Sequence, residues 1–292
     1  MFEAFYAASW IEKNVHAIFV GFIFAVIGIF VSVLLFPSNV GAVSLGMISV
    51  LLIPTLNVFF RATEKTSLKS PRWFSFLTFE HEYWRIIKAT LLLFLGIFFA
   101  YLIVSLILPK AFINTIFDYQ LGRAGLAGAA SSGGFFMQIL MNNLVVFIIC
   151  FIVSIAFGAG SVLFLTWNAS VWGVAIAYFV REAVAMSSGT VPFIIYLQNA
   201  IPWLPNSFLG ALGSLIMFFQ IALPFLPHLI TEAFAYVSAA IVGGIVSMAV
   251  VNEDYRRNHF KRTVRDAFMF MVFGFFLVII GAFMEVYLFP AL

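Results

Sequence analysis

From position 15 onward the chain alternates long apolar runs with short polar stretches. A hydrocarbon core about 30 Å thick takes about 20 residues of α-helix at 1.5 Å per residue. Seven runs meet or approach that length: Val15 to Phe36, Val40 to Phe60, Ala89 to Leu108, Asn143 to Thr166, Ala169 to Val184, Leu229 to Val251 and Ala267 to Leu288. An eighth, Phe208 to Phe225, lies in a stretch without charge from Met186 to Pro227 that is cut by Pro192, Pro202, Pro205, Pro224 and Pro227. Proline removes a backbone donor and crowds the preceding turn, so this pattern predicts a re-entrant or half-helix segment over 187–227. Such backbone persists at membrane depth only under cover of protein or beside a watery cavity. The expected fold is all-α: a polytopic transmembrane helical bundle with about seven crossings plus the re-entrant segment.

Composition sharpens this. Of 292 residues, 64% are hydrophobic and 9% charged, where a soluble domain carries roughly a quarter charged. That excludes a soluble enzyme, a nucleic-acid binder working through a basic surface, and any sizeable extramembrane domain. Residues 1–14 carry Glu3 and Glu12 with a single lysine, unlike a cleavable signal peptide, so the first helix is expected to stay. The lone cysteine, Cys150, offers no intrachain disulfide and no cysteine-built metal site.

Charge placement sets orientation. Eleven of the 15 basic residues fall in two loops, Arg61, Lys65, Lys69, Arg72, Arg85 and Lys88 in one, Arg256, Arg257, Lys261, Arg262 and Arg265 in the other. Short loops rich in Lys and Arg stay in the cytoplasm, so an even number of crossings separates them. The expectation is a multi-pass cell-membrane protein with its amino terminus cytoplasmic and its carboxyl terminus extracytoplasmic. Its parts are a transmembrane hairpin over 1–60, a cytoplasmic interfacial segment over 61–88 and a transmembrane core over 89–292. In the second part Ser70-Pro71 reads as the start of a helix lying on the inner surface, its aromatic residues interleaved with basic ones, before the chain enters the bilayer near Ala89. Lys110 to Met141, rich in glycine and serine, reads as a mobile outer loop.

Ionisable groups inside membrane helices cost about 2.5–3.5 kcal/mol each at the centre and ask for a reason. On this topology Arg181 and Glu182, His228 and Glu232, and Glu285 come from three helices at one depth, predicting a cluster in which Arg181 pairs with Glu232 or Glu285. Pro227 is placed to open the sixth helix, and His228 and Glu232 at i and i+4 share a face. That face continues as Ala235, Ala239, Gly243 and Ser247, a small-residue packing seam. A hydrogen-bonded network fixing helix register is the first reading of the cluster, proton, ion or substrate handling the second, and metal binding by His228, Glu232 and Glu285 the third; no metal site and no cofactor are assigned. Asn142, Asn143 and Asn168 read first as helix-end caps and second as interhelical bonds. The chain has no GxxxxGK[ST] phosphate loop, GxSxG elbow, HExxH or pair of membrane aspartates, so enzyme is the least supported class.

With these residues in view, the chain from about Arg72 to Leu292 resembles the stage II sporulation protein M family, in particular its archaeal-type members. The resemblance lies in Asn142-Asn143, in Gly158-Ala159-Gly160 leading to Leu165-Thr166-Trp167-Asn168-Ala169-Ser170 and Gly173, in Leu226-Pro227-His228 to Glu232, and in Met284-Glu285-Val286-Tyr287 before Pro290. Position 229 is Leu where the family pattern has glycine. The resemblance implies a five-helix core with a non-spanning segment before the His and Glu, to which the first two helices look like an addition. It also implies a role like that of the family's namesake, a membrane scaffold that holds cell-wall hydrolases at the septum. The expected function is therefore a non-enzymatic scaffold or assembly factor, with a channel or transporter for a small solute or ion as the alternative. The partners expected are the lipid bilayer, further copies of the chain in a homo-oligomer, and other membrane proteins.

Overall fold

A computed structural model describes residues 15–67, 76–127, 135–186, 192–251 and 258–288. Its helices are α1 (Val15–Leu35), α2 (Val40–Ser67), α3 (Phe76–Ile107), α4 (Lys110–Ile116), α5 (Asp118–Ala127), α6 (Phe135–Phe157), α7 (Val162–Met186), α8 (Pro192–Ala200), α9 (Asn206–Val251) and α10 (Asn258–Phe283). A 3-10 turn, Gly158–Ser161, joins α6 to α7, and α10 ends in a single π turn, Met284–Leu288. Among the described residues there is no strand, and the fold is a helical polytopic bundle.

Among the described residues, six stretches are long and apolar enough to cross a membrane: His16–Leu35, Val40–Asn57, Ile86–Ile107, Phe136–Val184, Leu223–Val251 and Ala267–Tyr287. The fourth, 49 residues long, contains both α6 and α7. The chain reverses between them. Gly158 takes a left-handed φ of 61°, a conformation glycine adopts without a Cβ clash. A Cβ on Gly160 would stand 3.3 Å from Val153 Cγ1, whereas seven residues of straight helix would separate them by about 10 Å. Ser154 Oγ donates to Ser161 Oγ across the turn at 2.6 Å. The sequence pattern put this boundary near Asn168 instead. That polar stretch stays helical because Asn168 Nδ2 donates to the Phe164 carbonyl at 2.8 Å and Ser170 Oγ to the Trp167 carbonyl at 2.7 Å, so local bonds satisfy its polar groups within the helix.

One buried apolar cluster runs through the bundle, from Ala17 and Ala25 on α1 and Ile48 and Leu52 on α2 to Val278 on α10. The first two helices share that core. α1 crosses α3 at Gly21 and Gly96, where an added Cβ would collide with the Leu93 and Ile18 carbonyls, so the two backbones touch directly. α3 packs on α7 with the Phe94 and Trp172 rings edge to face at 5.4 Å. Outward faces carry Phe19, Phe30, Leu34 and Phe276, exposed as suits contact with lipid.

Three segments differ from the sequence pattern. α3 begins at Phe76 and runs unbroken through Ala89, so the aromatic and basic stretch from 76 to 88 is continuous with the helix whose candidate span starts at Ile86. Ser70-Pro71 lies outside the described residues. Of the expected outer loop, residues 110–127 hold two short helices, because Ile113, Ile116, Phe117 and Gln120 recur on one face and are all buried, α6 starts at Phe135, and 128–134 lie outside the described residues. Finally, α9 passes through Pro224 and Pro227 without ending, so Phe208 to Phe225 and the sixth apolar run belong to one helix, and Pro227 sits inside it instead of opening it. Thr231 Oγ1 donates to the Pro227 carbonyl one turn back at 2.6 Å, so its hydroxyl is satisfied within the helix.

Candidate functional site

α9 carries His228 and Glu232 one turn apart and facing the same way. Both are closed off, with 6% and 3% of their surfaces exposed. The π turn at the end of α10 brings Glu285 to them, and His228 Nδ1 lies 3.6 Å from Glu232 Oε1 and 3.6 Å from Glu285 Oε2. α6 contributes Asn143, whose amide Nδ2 donates to Glu232 Oε1. The Tyr236 hydroxyl, one turn further along α9, reaches Glu232 Oε2 at 3.5 Å. The Gly281 backbone is the hydrogen-bond partner of the His228 ring. The Trp172 ring of α7 covers that ring at a centroid distance of 6.1 Å. Gly281 also leaves Glu232 its space, since a Cβ there would stand 3.0 Å from Glu232 Cγ. Four helices thus enclose two carboxyl groups, an imidazole, an amide and a phenol.

The other residues singled out from the sequence lie elsewhere. Arg181 does not pair with Glu232 or Glu285; its guanidinium Nη2 donates to the Leu106 carbonyl at 2.8 Å. α3 ends at Ile107, so Leu106 has one of the last-turn carbonyls that lack a partner within their helix, at the negative end of the helix dipole. Arg181 is therefore a C-terminal cap of α3. Glu182 is half-buried and is not one of the three groups that meet at His228. Asn142 and Asn143 are eight and nine residues into α6, too far in to cap its start, and Asn142 Nδ2 donates to Asn143 Oδ1 at 3.2 Å. That bond turns the Asn143 NH2 toward Glu232. Asn168 lies inside α7 and caps nothing. In the seam, Ala235 and Ala239 are fully buried, Ser247 is nearly so, and Gly243 faces α6, where a Cβ would stand 2.6 Å from Ser154 Cβ.

Sequence reasoning missed Gln120. Its Nε2 donates to the Gly41 carbonyl at 3.1 Å and approaches Ser170 Oγ at 3.5 Å, joining α5 to α2 and α7. Beside it, Ser44 Oγ and the Tyr101 hydroxyl are 2.7 Å apart. The spacing of Gln120 after Ile113, Ile116 and Phe117 is the signal that could have found it.

A helical bundle with six membrane-length apolar stretches among its described residues, and with ionisable groups packed between its helices, is a multi-pass membrane protein. The family model for Stage II sporulation protein M matches residues 89–290, and the chain belongs to that family. The match takes in the membrane part of α3 through α10 and leaves α1 and α2 outside it. Comparison with curated proteins and with solved structures gave no match.

Proposed function

We propose that this protein is a non-enzymatic membrane scaffold or assembly factor: a locked bundle that presents an apolar arm to another membrane protein. The observation that carries the reading is the arm, α8 together with the first third of α9. α9 has 46 residues, about 69 Å of helix, more than twice the thickness of a hydrocarbon core. Its candidate span begins at Leu223. Residues 206–222 extend beyond that span, and α8 packs beside them, with Ile194 close to Gly213. Of the described side chains from 193 to 222, only Leu209 is buried, while Phe193, Tyr196, Trp203, Phe208, Leu215 and Phe219 are exposed. An uncharged surface of this size suits a partner's transmembrane helix at the outer leaflet, and the scaffolding role implied by the family resemblance supports it.

Orientation follows from the basic loops. With α6 and α7 counted as separate crossings, both loops fall on one face, which the positive-inside rule assigns to the cytoplasm. The polar cluster and the arm then face outward, and the re-entrant reading of 187–227 becomes that of an arm lying against the outer leaflet. A photo-crosslinking residue at Leu215 or Phe219 of the full chain in its native membrane should give a discrete protein adduct, absent at lipid-facing Phe30. Adducts with lipid alone at all three positions would overturn the reading.

The second reading, transport of a small ion or solute, is favoured by the ionisable groups at His228, Glu232 and Glu285 within membrane helices. Flux in reconstituted vesicles that Glu232→Gln abolishes would establish it, and its absence across a broad panel of solutes and ions would remove it.

A further inference from the structure

His228 Nδ1 is buried and has no hydrogen-bond partner among the described residues. The Gly281 backbone partner of the ring is a carbonyl acceptor, which commits the ring N–H to Nε2 and leaves a lone pair on Nδ1. Nδ1 lies 3.6 Å from an oxygen of each of two carboxyl groups. With both acids ionised, three acceptors converge with no donor among them. The 3.6 Å separations exceed the 2.7–3.2 Å of a hydrogen bond. They fit the ligand-to-ligand edge of a tetrahedral ion with bonds of 2.0–2.2 Å, which is about 3.3–3.6 Å. All three ligand atoms lie within 4.8 Å of one another, and the remaining edge closes by rotation of Glu285, whose side chain is 21% exposed and marks the way in.

We propose that His228 Nδ1, Glu232 and Glu285 bind one divalent transition-metal ion of the zinc type, fastening α9 to the last turn of α10. Charge supports this, because a dication between two carboxylates and a neutral imidazole leaves no net charge inside the membrane. Arg181, the cation that the sequence pattern assigns to the cluster, is occupied at Leu106. The surrounding bonds are those a metal site needs: a backbone carbonyl fixing the imidazole tautomer, and Asn143 and Tyr236 orienting the Glu232 carboxylate. An imidazole in the ligand set favours zinc, iron or copper over magnesium and calcium. Three protein ligands leave a fourth position for water. The inference does not depend on the scaffold reading.

The test uses the full chain purified in detergent, loaded with zinc chloride, desalted, and measured for bound metal and thermal midpoint. The expected result is about one zinc per chain, a higher thermal midpoint with zinc, and at least about a tenfold loss of zinc affinity in Glu285→Gln and His228→Gln. Arg181→Met should keep its zinc. Cobalt in place of zinc should give visible absorption of a four-coordinate site in the unsubstituted chain, which keeps the proposal testable if the His228 variant does not fold. A chain that retains no zinc and shows no shift overturns the proposal, as does equal zinc retention in Glu285→Gln.

Discussion

Asn143 on α6 donates its amide hydrogen to Glu232 on α9, joining two helices across 89 positions of sequence. Hydrogen bonds to charged or buried groups are the ones whose loss is felt, at about 1–3 kcal/mol, because the remaining partner stays desolvated. Asn143→Ala should therefore lower the stability of the detergent-solubilised protein by about that much, read from chemical or thermal unfolding. Met141→Ala, on an exposed position of the same helix, is the control. Equal effects from the two substitutions would show that the amide does not hold α6 to α9.

The crossing of α1 and α3 makes a sharper steric prediction. Gly96→Leu drives a side chain into the Ile18 carbonyl, whereas Gly46 on α2 has nothing within 4 Å of the Cβ position. The first should cost about 1–3 kcal/mol or prevent folding, and Gly46→Leu should be close to neutral. Comparable thermal midpoints for the two would mean that α1 is only loosely attached to the bundle.

Arg181 is assigned to the end of α3 and not to the carboxylate cluster. Arg181→Met should destabilise by about 1–3 kcal/mol through the freed Leu106 carbonyl. In a double-mutant cycle with Glu232→Gln the coupling should stay within about 0.5 kcal/mol, as for sites that share no partner. A coupling well above that places the guanidinium in the cluster after all.

Much of this architecture is written in the apolar runs, because a bilayer demands continuous hydrophobic length and a helix supplies it residue by residue. Helix ends are less legible. The chain turns at Gly158, where a left-handed residue is needed, and not at the more polar Asn168, whose amide bonds back within its own helix. Prolines mislead in the same way: Pro224 and Pro227 lie inside α9, which continues through both. At the site, the i and i+4 spacing brought His228 and Glu232 together, and Glu285 was placed by its depth. The partners of Asn143 and Arg181 were not legible, since they depend on which helix neighbours which, and a single sequence carries no record of that. Gln120 was obscured by the glycine-rich composition around it, although its apolar spacing is regular.

The central claim is that the His228 and Glu232 side of the cluster is packed inside the bundle while the arm is open. In a Cys150→Ser background, single cysteines at Ala235, Ala239 and Leu215 would be labelled in intact cells with a membrane-impermeant thiol reagent, and again after denaturation to confirm that each thiol is present. Ala235 and Ala239 are fully buried about one and two turns along α9 from Glu232, and Leu215 is exposed on the arm. The account predicts labelling at Leu215 and silence at the two alanine positions until the protein is denatured. Labelling of Ala235 from outside at the rate of Leu215 would contradict it, showing that water reaches the cluster and that the bundle is built as a pathway.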